Sequence, residues 1–241
     1  MKFRRIEEPL RSKIQTYAPA AGFLSLAIMM SCIAWVIWTY QSKQADYSIF
    51  NHFISELGHT IDSPFYLVFS LGLCASSLLF ILLLLGLSFH IDSVWARRAM
   101  RIGVFACIAC FFVGVFPGNT WKYAHLTVAL IFFVGSLIAV AMFGFAIYTD
   151  PNRNMPKWHI VPSIVVVGNS ATLLLLPSDS VKQFLADRAT FDRPDMWLNP
   201  FFEWMVFFSI LVWMFFISRH LHFHNKRSQV NVIGDESQYA E

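Results

Sequence analysis

Six apolar runs take up most of this 241-residue chain, at 18–40, 64–89, 99–116, 123–149, 158–176 and 201–218. Each nears or exceeds the ~20 residues that a helix needs to cross a hydrocarbon core ~30 Å thick. In hydrocarbon a helix satisfies its own backbone, so continuous runs of this length are helical. The sequence predicts an all-α, polytopic six-helix membrane bundle. Composition agrees: 56% of residues are hydrophobic, 14% are charged and 25 are Phe, outside the balance of a soluble domain.

The basic residues sort between the two sides of such a bundle. All but five of the 18 Lys and Arg fall in the N-terminal segment, the second and fourth connections and the C-terminal segment. The exceptions are Lys43, Lys122, Lys182, Arg188 and Arg193. The positive-inside rule then predicts that both termini are cytosolic. The chain divides into a basic cytosolic tail (1–17), the six-helix domain (18–220) and a polar cytosolic tail (221–241) whose few apolar residues predict disorder. Met1–Tyr40 exceeds the apolar core of a signal peptide and is expected to remain as the first helix. The chain is expected in the cytoplasmic membrane if bacterial, and otherwise in an endomembrane or the plasma membrane. A formal charge of +3 is the cytosolic basic excess, so nucleic acid is not an expected partner. Membrane lipids are, with a protein partner within the membrane as a further possibility.

Four cysteines, Cys32, Cys74, Cys107 and Cys110, all fall inside predicted helices, which argues against a secreted-type disulfide framework. Cys107 and Cys110 form a C-x-x-C with no nearby basic residue to stabilise a thiolate, so helix packing is the expected role. Gly114 and Gly118 have the spacing of a small-residue helix contact.

The non-cytosolic connections hold the ionisable residues that charge sorting leaves unexplained. Residues 41–63 carry Asp46, His52, Glu56, His59 and Asp62; Pro117–Trp121 includes Asn119; His125 follows just inside the fourth helix; and Glu203 opens the last one. At helical periodicity His52, Ser55, Glu56 and His59 share one face, with Phe50, Phe53, Ile54 and Leu57 opposite and Gly58 as a stop. The spacing predicts an interfacial amphipathic helix over Asn51–Thr60. Its polar face could be simply solvated, could bind a headgroup, or could offer metal ligands, since imidazole and carboxylate suit Zn²⁺. His52, His59 and His125 are the metal candidates, and no cofactor is otherwise indicated. His125 could instead serve a neighbouring carbonyl, and Glu203 the positive end of its helix. A further short helix is expected over residues 180–189, with Ser178 as N-cap and Val181, Phe184 and Leu185 as its apolar face, lying over the vestibule.

Three short motifs, Ser55-Glu56-Leu57-Gly58, Phe116-Pro117 and the following His125, resemble an uncharacterised family of six-helix membrane proteins. That family is similar to the DRAM autophagy modulators and to proteins that remodel GPI-anchored lipids. The resemblance implies the six-helix fold over about residues 18–220 and a connection to lipids, without a mechanism. The sequence leaves two functions open. One is a polar non-cytosolic vestibule that binds lipid headgroups or a partner through Ser55, Glu56, His59, Asn119, His125 and Glu203. The other is a metal-dependent or general acid/base lipid hydrolase or acyltransferase, with Glu56, His125 and Glu203 as catalytic candidates. Proton-coupled transport ranks below both, because the helix centres lack ionisable residues.

The orientation makes a direct prediction. Cysteines introduced at Lys43 and Lys182 should react with an impermeant thiol reagent from outside intact cells, and one at Arg153 should not; labelling at Arg153 would reverse the topology.

Overall fold

The computed structural model describes the backbone of residues 2–41, 47–188 and 190–238, with side chains over 8–40, 47–188 and 190–227. Seven α-helices appear among them: α1 Lys2–Gln41, α2 Tyr66–Ile91, α3 Val94–Val115, α4 Lys122–Thr149, α5 Ile160–Leu175, α6 Asp179–Ala186 and α7 Leu198–Gln238. Six are long and apolar enough to span a membrane, all but the short α6. Lys43 and Asp46 lie outside the described residues.

Each span packs on the next in sequence, and α7 packs on both α5 and α1, so the six close into a ring. Close approach is made by small residues, since lipid tails are as apolar as the helices and supply no drive for their association. A β-carbon on Gly135 of α4 would lie 2.9 Å from the Ala106 β-carbon of α3, and one on Gly114 of α3 would lie 2.8 Å from the Ser70 carbonyl oxygen of α2. Gly114 is thus a packing glycine. Gly118 is not its partner, because it faces two imidazoles instead. Cys107 and Cys110 are buried in the helix packing and the four cysteines are free thiols. The core on the termini side gathers Leu83, Leu87, Phe143, Ile147, Trp213 and Ile217, and that on the opposite side Met29, Val36, Leu57, Phe69 and Trp204.

Both ends of the chain are more helical than composition suggests. α1 begins at Lys2, so the expected N-terminal tail forms its first turns, and α7 continues through to Gln238 where disorder was expected. Extending an existing helix costs far less than nucleating one. The extensions are also tied together. Pro19 has no N–H for the Gln15 carbonyl four residues earlier, and Asn225 Nδ2 of α7 donates to that carbonyl at 2.9 Å. Both terminal segments therefore lie at the same end of the ring, as six passes require.

The Asn51–Thr60 segment differs from the expected amphipathic α-helix. Only Ile54–Gly58 is helical, as a 3-10 turn, and Glu56, Leu57 and His59 are all buried. Five residues are too few for a stable α-helix, and the tighter turn suits a short piece held at both ends. α6 does lie over the bundle with Phe184 buried and Lys182 exposed, although Ser178 makes no side-chain capping bond.

Two glycines separate packing from propensity. Gly114→Ala should lower stability by about 1–3 kcal/mol because the neighbouring backbone cannot retreat. A β-carbon on Gly168 would meet nothing within 4 Å, so Gly168→Ala should be neutral or stabilising by about 0.5–1 kcal/mol. Thermal unfolding of the two variants in detergent checks the contrast.

Candidate functional site: a polar vestibule

At the end of the ring away from the termini, the loops and α6 enclose a cavity of about 460 Å³. Its structure starts from Glu56. This carboxylate is 1% exposed and carries four strong contacts. Arg193 binds it in a fork, at 3.0 Å to Oε1 and 2.7 Å to Oε2. Arg188 Nη2 donates to Oε2 at 2.7 Å, and the Phe53 N–H donates to Oε1 at 2.9 Å. Both guanidinium groups lie over the Phe184 ring of α6, at 4.7 Å for Arg193 and 5.4 Å for Arg188. α6 is thereby fixed to the first connection by charge-assisted bonds and cation–π contacts. Burial alone would raise the Glu56 pKa, but the two guanidiniums outweigh it and hold the carboxyl below its ordinary range.

Arg188 also reaches His59. Its Nη1 lies 2.5 Å from Asp62 Oδ2 and 2.6 Å from His59 Nδ1. His59 Nδ1 also lies 3.2 Å from Asp62 Oδ2, so the carboxylate and the guanidinium meet at this nitrogen. His125 is held by a backbone carbonyl. Its Nδ1 lies 2.7 Å from the Phe116 carbonyl oxygen, which can only accept, so Nε2 carries the lone pair. Both Nε2 atoms border Gly118, where a β-carbon would sit 3.2 Å from that of His59 and 3.5 Å from that of His125.

Glu203 lies in the second turn of α7 and caps the 3-10 turn from outside. Its Oε2 accepts the Ile54 N–H at 2.8 Å, with the Ser55 N–H as a second partner, which satisfies donors that a helix start leaves free. Trp204 Nε1 donates to the His52 carbonyl at 3.0 Å, and the Trp197 N–H to that of Phe50 at 2.9 Å. Asn119 staples two loops, accepting the Thr60 N–H at 3.2 Å and donating to Thr60 Oγ1 at 2.9 Å.

Ser55, Glu56, His59, Asn119, His125 and Glu203 all border this cavity. His52 does not; its ring packs on Tyr47 with centroids 4.8 Å apart, and its Nδ1 lies 2.7 Å from Asn51 Oδ1. The three histidines considered as metal ligands therefore do not meet. Among the described residues no three His, Cys, Asp or Glu side chains are placed to hold a metal ion. Glu56 is in the wall as an ion-pair anchor, with both oxygens occupied. The sequence placed Arg188 and Arg193 on the non-cytosolic side without a partner, and both turn inward to Glu56. The signal for them was present, because a carboxylate at this depth needs a cation and that side offers only five.

Residues 25–220 match the family described as a protein of unknown function, DUF998. The chain belongs to the DUF998 family. The matched stretch contains every vestibule residue described above, so the DUF998 region and the site coincide. No curated protein and no solved structure matches the chain.

Removing the Glu56 carboxylate leaves Arg193 without its ion-pair partner and Arg188 with Asp62 alone, and loss of one partner of a buried ion pair costs about 3–5 kcal/mol. Glu56→Ala should therefore lower the unfolding midpoint strongly, while Asp179→Ala, at an exposed pair, should change it by less than about 1 kcal/mol. The pH dependence has a fixed sign. Because the folded state depresses the Glu56 pKa, its stabilisation is complete above the ordinary carboxylate range and is lost as pH falls through the depressed value. Unfolding midpoints measured down an acid series should show a loss that Glu56→Gln lacks.

Proposed function

We propose that the vestibule binds the polar headgroup of a membrane lipid, and that it opens on the non-cytosolic side. Charge sorting supports the orientation. The observation that carries the binding is the cavity's two-sided chemistry. One end presents Ser55, His59, Lys122, His125 and Arg188, and the other Leu126, Leu130, Phe133, Leu173 and Leu174 between the outer halves of α4 and α5. Leu126 and Leu130 are also 39% and 55% exposed, so the apolar end is open rather than packed. An amphiphile whose head sits between the imidazoles and whose body lies along these leucines satisfies both ends. Lys122, on the same wall as Arg188, suits a phosphate or ester oxygen, and His125 Nε2 accepts from a hydroxyl. The family description assigns no activity and no link to DRAM or GPI-lipid-remodelling proteins, so the reading rests on the cavity.

One observation favours a second reading, hydrolysis of the bound lipid. His125 has its Nδ1–H held by the Phe116 carbonyl, which leaves Nε2 oriented as a general base. It would take a proton from water as the water oxygen attacks the ester carbonyl, then return it to the alkoxide as the ester C–O bond breaks, giving acid and alcohol.

Ligand binding to the folded state raises its unfolding temperature. In nanodiscs, lipids bearing the right headgroup should stabilise the wild type over phosphatidylcholine alone. His125→Ala should weaken that binding about tenfold, or ~1.4 kcal/mol, with insertion unchanged. Equal stabilisation of both proteins would remove the vestibule as the site. Release of free fatty acid by the wild type but not by His125→Ala would favour hydrolysis.

A further inference from the structure

A second cavity, of about 90 Å³, lies at the centre of the ring between α1, α2, α3, α4 and α7. It continues the vestibule: Ser55, His125, Ala129, Phe133 and Glu203 wall both. Beyond them the surroundings are apolar, chiefly Phe69, Leu73, Phe80, Phe132, Ile210 and Met214. The serine hydroxyls at its edge are used elsewhere. Ser25 Oγ donates to the Ser76 carbonyl at 3.0 Å, Ser76 Oγ to the Ser25 carbonyl at 3.1 Å, and Ser77 Oγ to the Leu73 carbonyl at 2.7 Å.

A buried water needs two to four polar partners, and deep in this cavity the hydroxyl protons are already taken. Interiors are packed to crystal density, so a dry void of this kind is a shape that hydrocarbon fits. It is smaller than the ~150 Å³ cavity that accepts benzene, which selects a slender alkyl tip over an aromatic ring or a branched chain. Of the residues common to the two walls, Ala129 has the smallest side chain.

We infer that this central cavity receives the end of an unbranched alkyl chain belonging to the lipid whose headgroup occupies the vestibule. The inference rests on the headgroup reading and adds the ligand class, a straight-chain amphiphile held partly inside the bundle. His125 and Glu203 then stand at the neck between head and chain, and chain length becomes a determinant of recognition.

The test uses the full chain in nanodiscs containing phosphatidylglycerol with a diazirine at the end of one acyl chain, and glycerol 3-phosphate as a chain-free probe. Photolysis should mark peptides containing Phe80, Cys107 or Met214, and Val113→Phe, which puts a ring on a further wall residue, should abolish those adducts while glycerol 3-phosphate still raises the unfolding temperature. Phe132→Leu, which enlarges the cavity, covers the case in which Val113→Phe fails to fold: it should favour a chain two carbons longer than the wild type prefers, and an unchanged preference counts against the inference. Adducts confined to lipid-facing positions such as Leu78 and Ile138, with glycerol 3-phosphate still stabilising, would overturn the chain site and leave the headgroup reading standing. No adducts and no stabilisation by either probe would remove the headgroup reading, and the chain site with it.

Discussion

A carboxylate taken out of water at the membrane boundary must be matched by cations and hydrogen bonds, and most of the vestibule follows from how Glu56 meets that demand. Arg193 and Arg188 reach it from a connection more than 130 residues away. Their pairing draws that connection across the mouth of the ring and brings Phe184 beneath both guanidiniums. Arg188, so placed, also reaches His59 and Asp62. A cluster that looks in sequence like a set of loose polar side chains is therefore a connected ion-pair and hydrogen-bond network. His59 joins it through Arg188 and Asp62.

The last span has a comparable role for the backbone. α7 closes the ring between α5 and α1, and 56% of its membrane window is buried, more than any other span. Glu203 and Trp204, adjacent on this helix, each hold a backbone group of the first connection. Glu203 is suited to this because amide donors at the start of a short turn have no partner of their own. Its carboxylate therefore serves the architecture as well as the cavity wall, and the roles of structural cap and site residue are not separable at this position.

The sequence was informative where a pattern is local. Apolar runs of membrane length announce helices whatever their neighbours, and Val181, Phe184 and Leu185 announce the buried side of α6. Glu56, His59, His125 and Glu203 were legible as one group because each stands at the same end of its helix or loop. The period through Asn51–Thr60 misled, since that stretch is held by Glu203, Trp204 and two arginines and so takes a 3-10 turn with its polar residues inside. Ser178 stands at the N-cap position of α6 as read, without a side-chain capping bond. Arg188 and Arg193 could not be paired with Glu56 by spacing, because no periodicity connects residues so distant in the chain. The alkyl-sized cavity was likewise invisible, being the space left by five helices together.

The same long-range pairing has a consequence for biosynthesis. Glu56 leaves the ribosome early, whereas Arg188, Arg193 and Glu203 come from the last connection and the last span. Until that final segment is in place, a nascent chain carries an unmatched acid at the bilayer surface and two uncapped amides beside it. An arrested or truncated product is therefore chemically marked as unfinished, and surveillance by membrane chaperones or proteases would have a polar feature to read that the completed protein conceals.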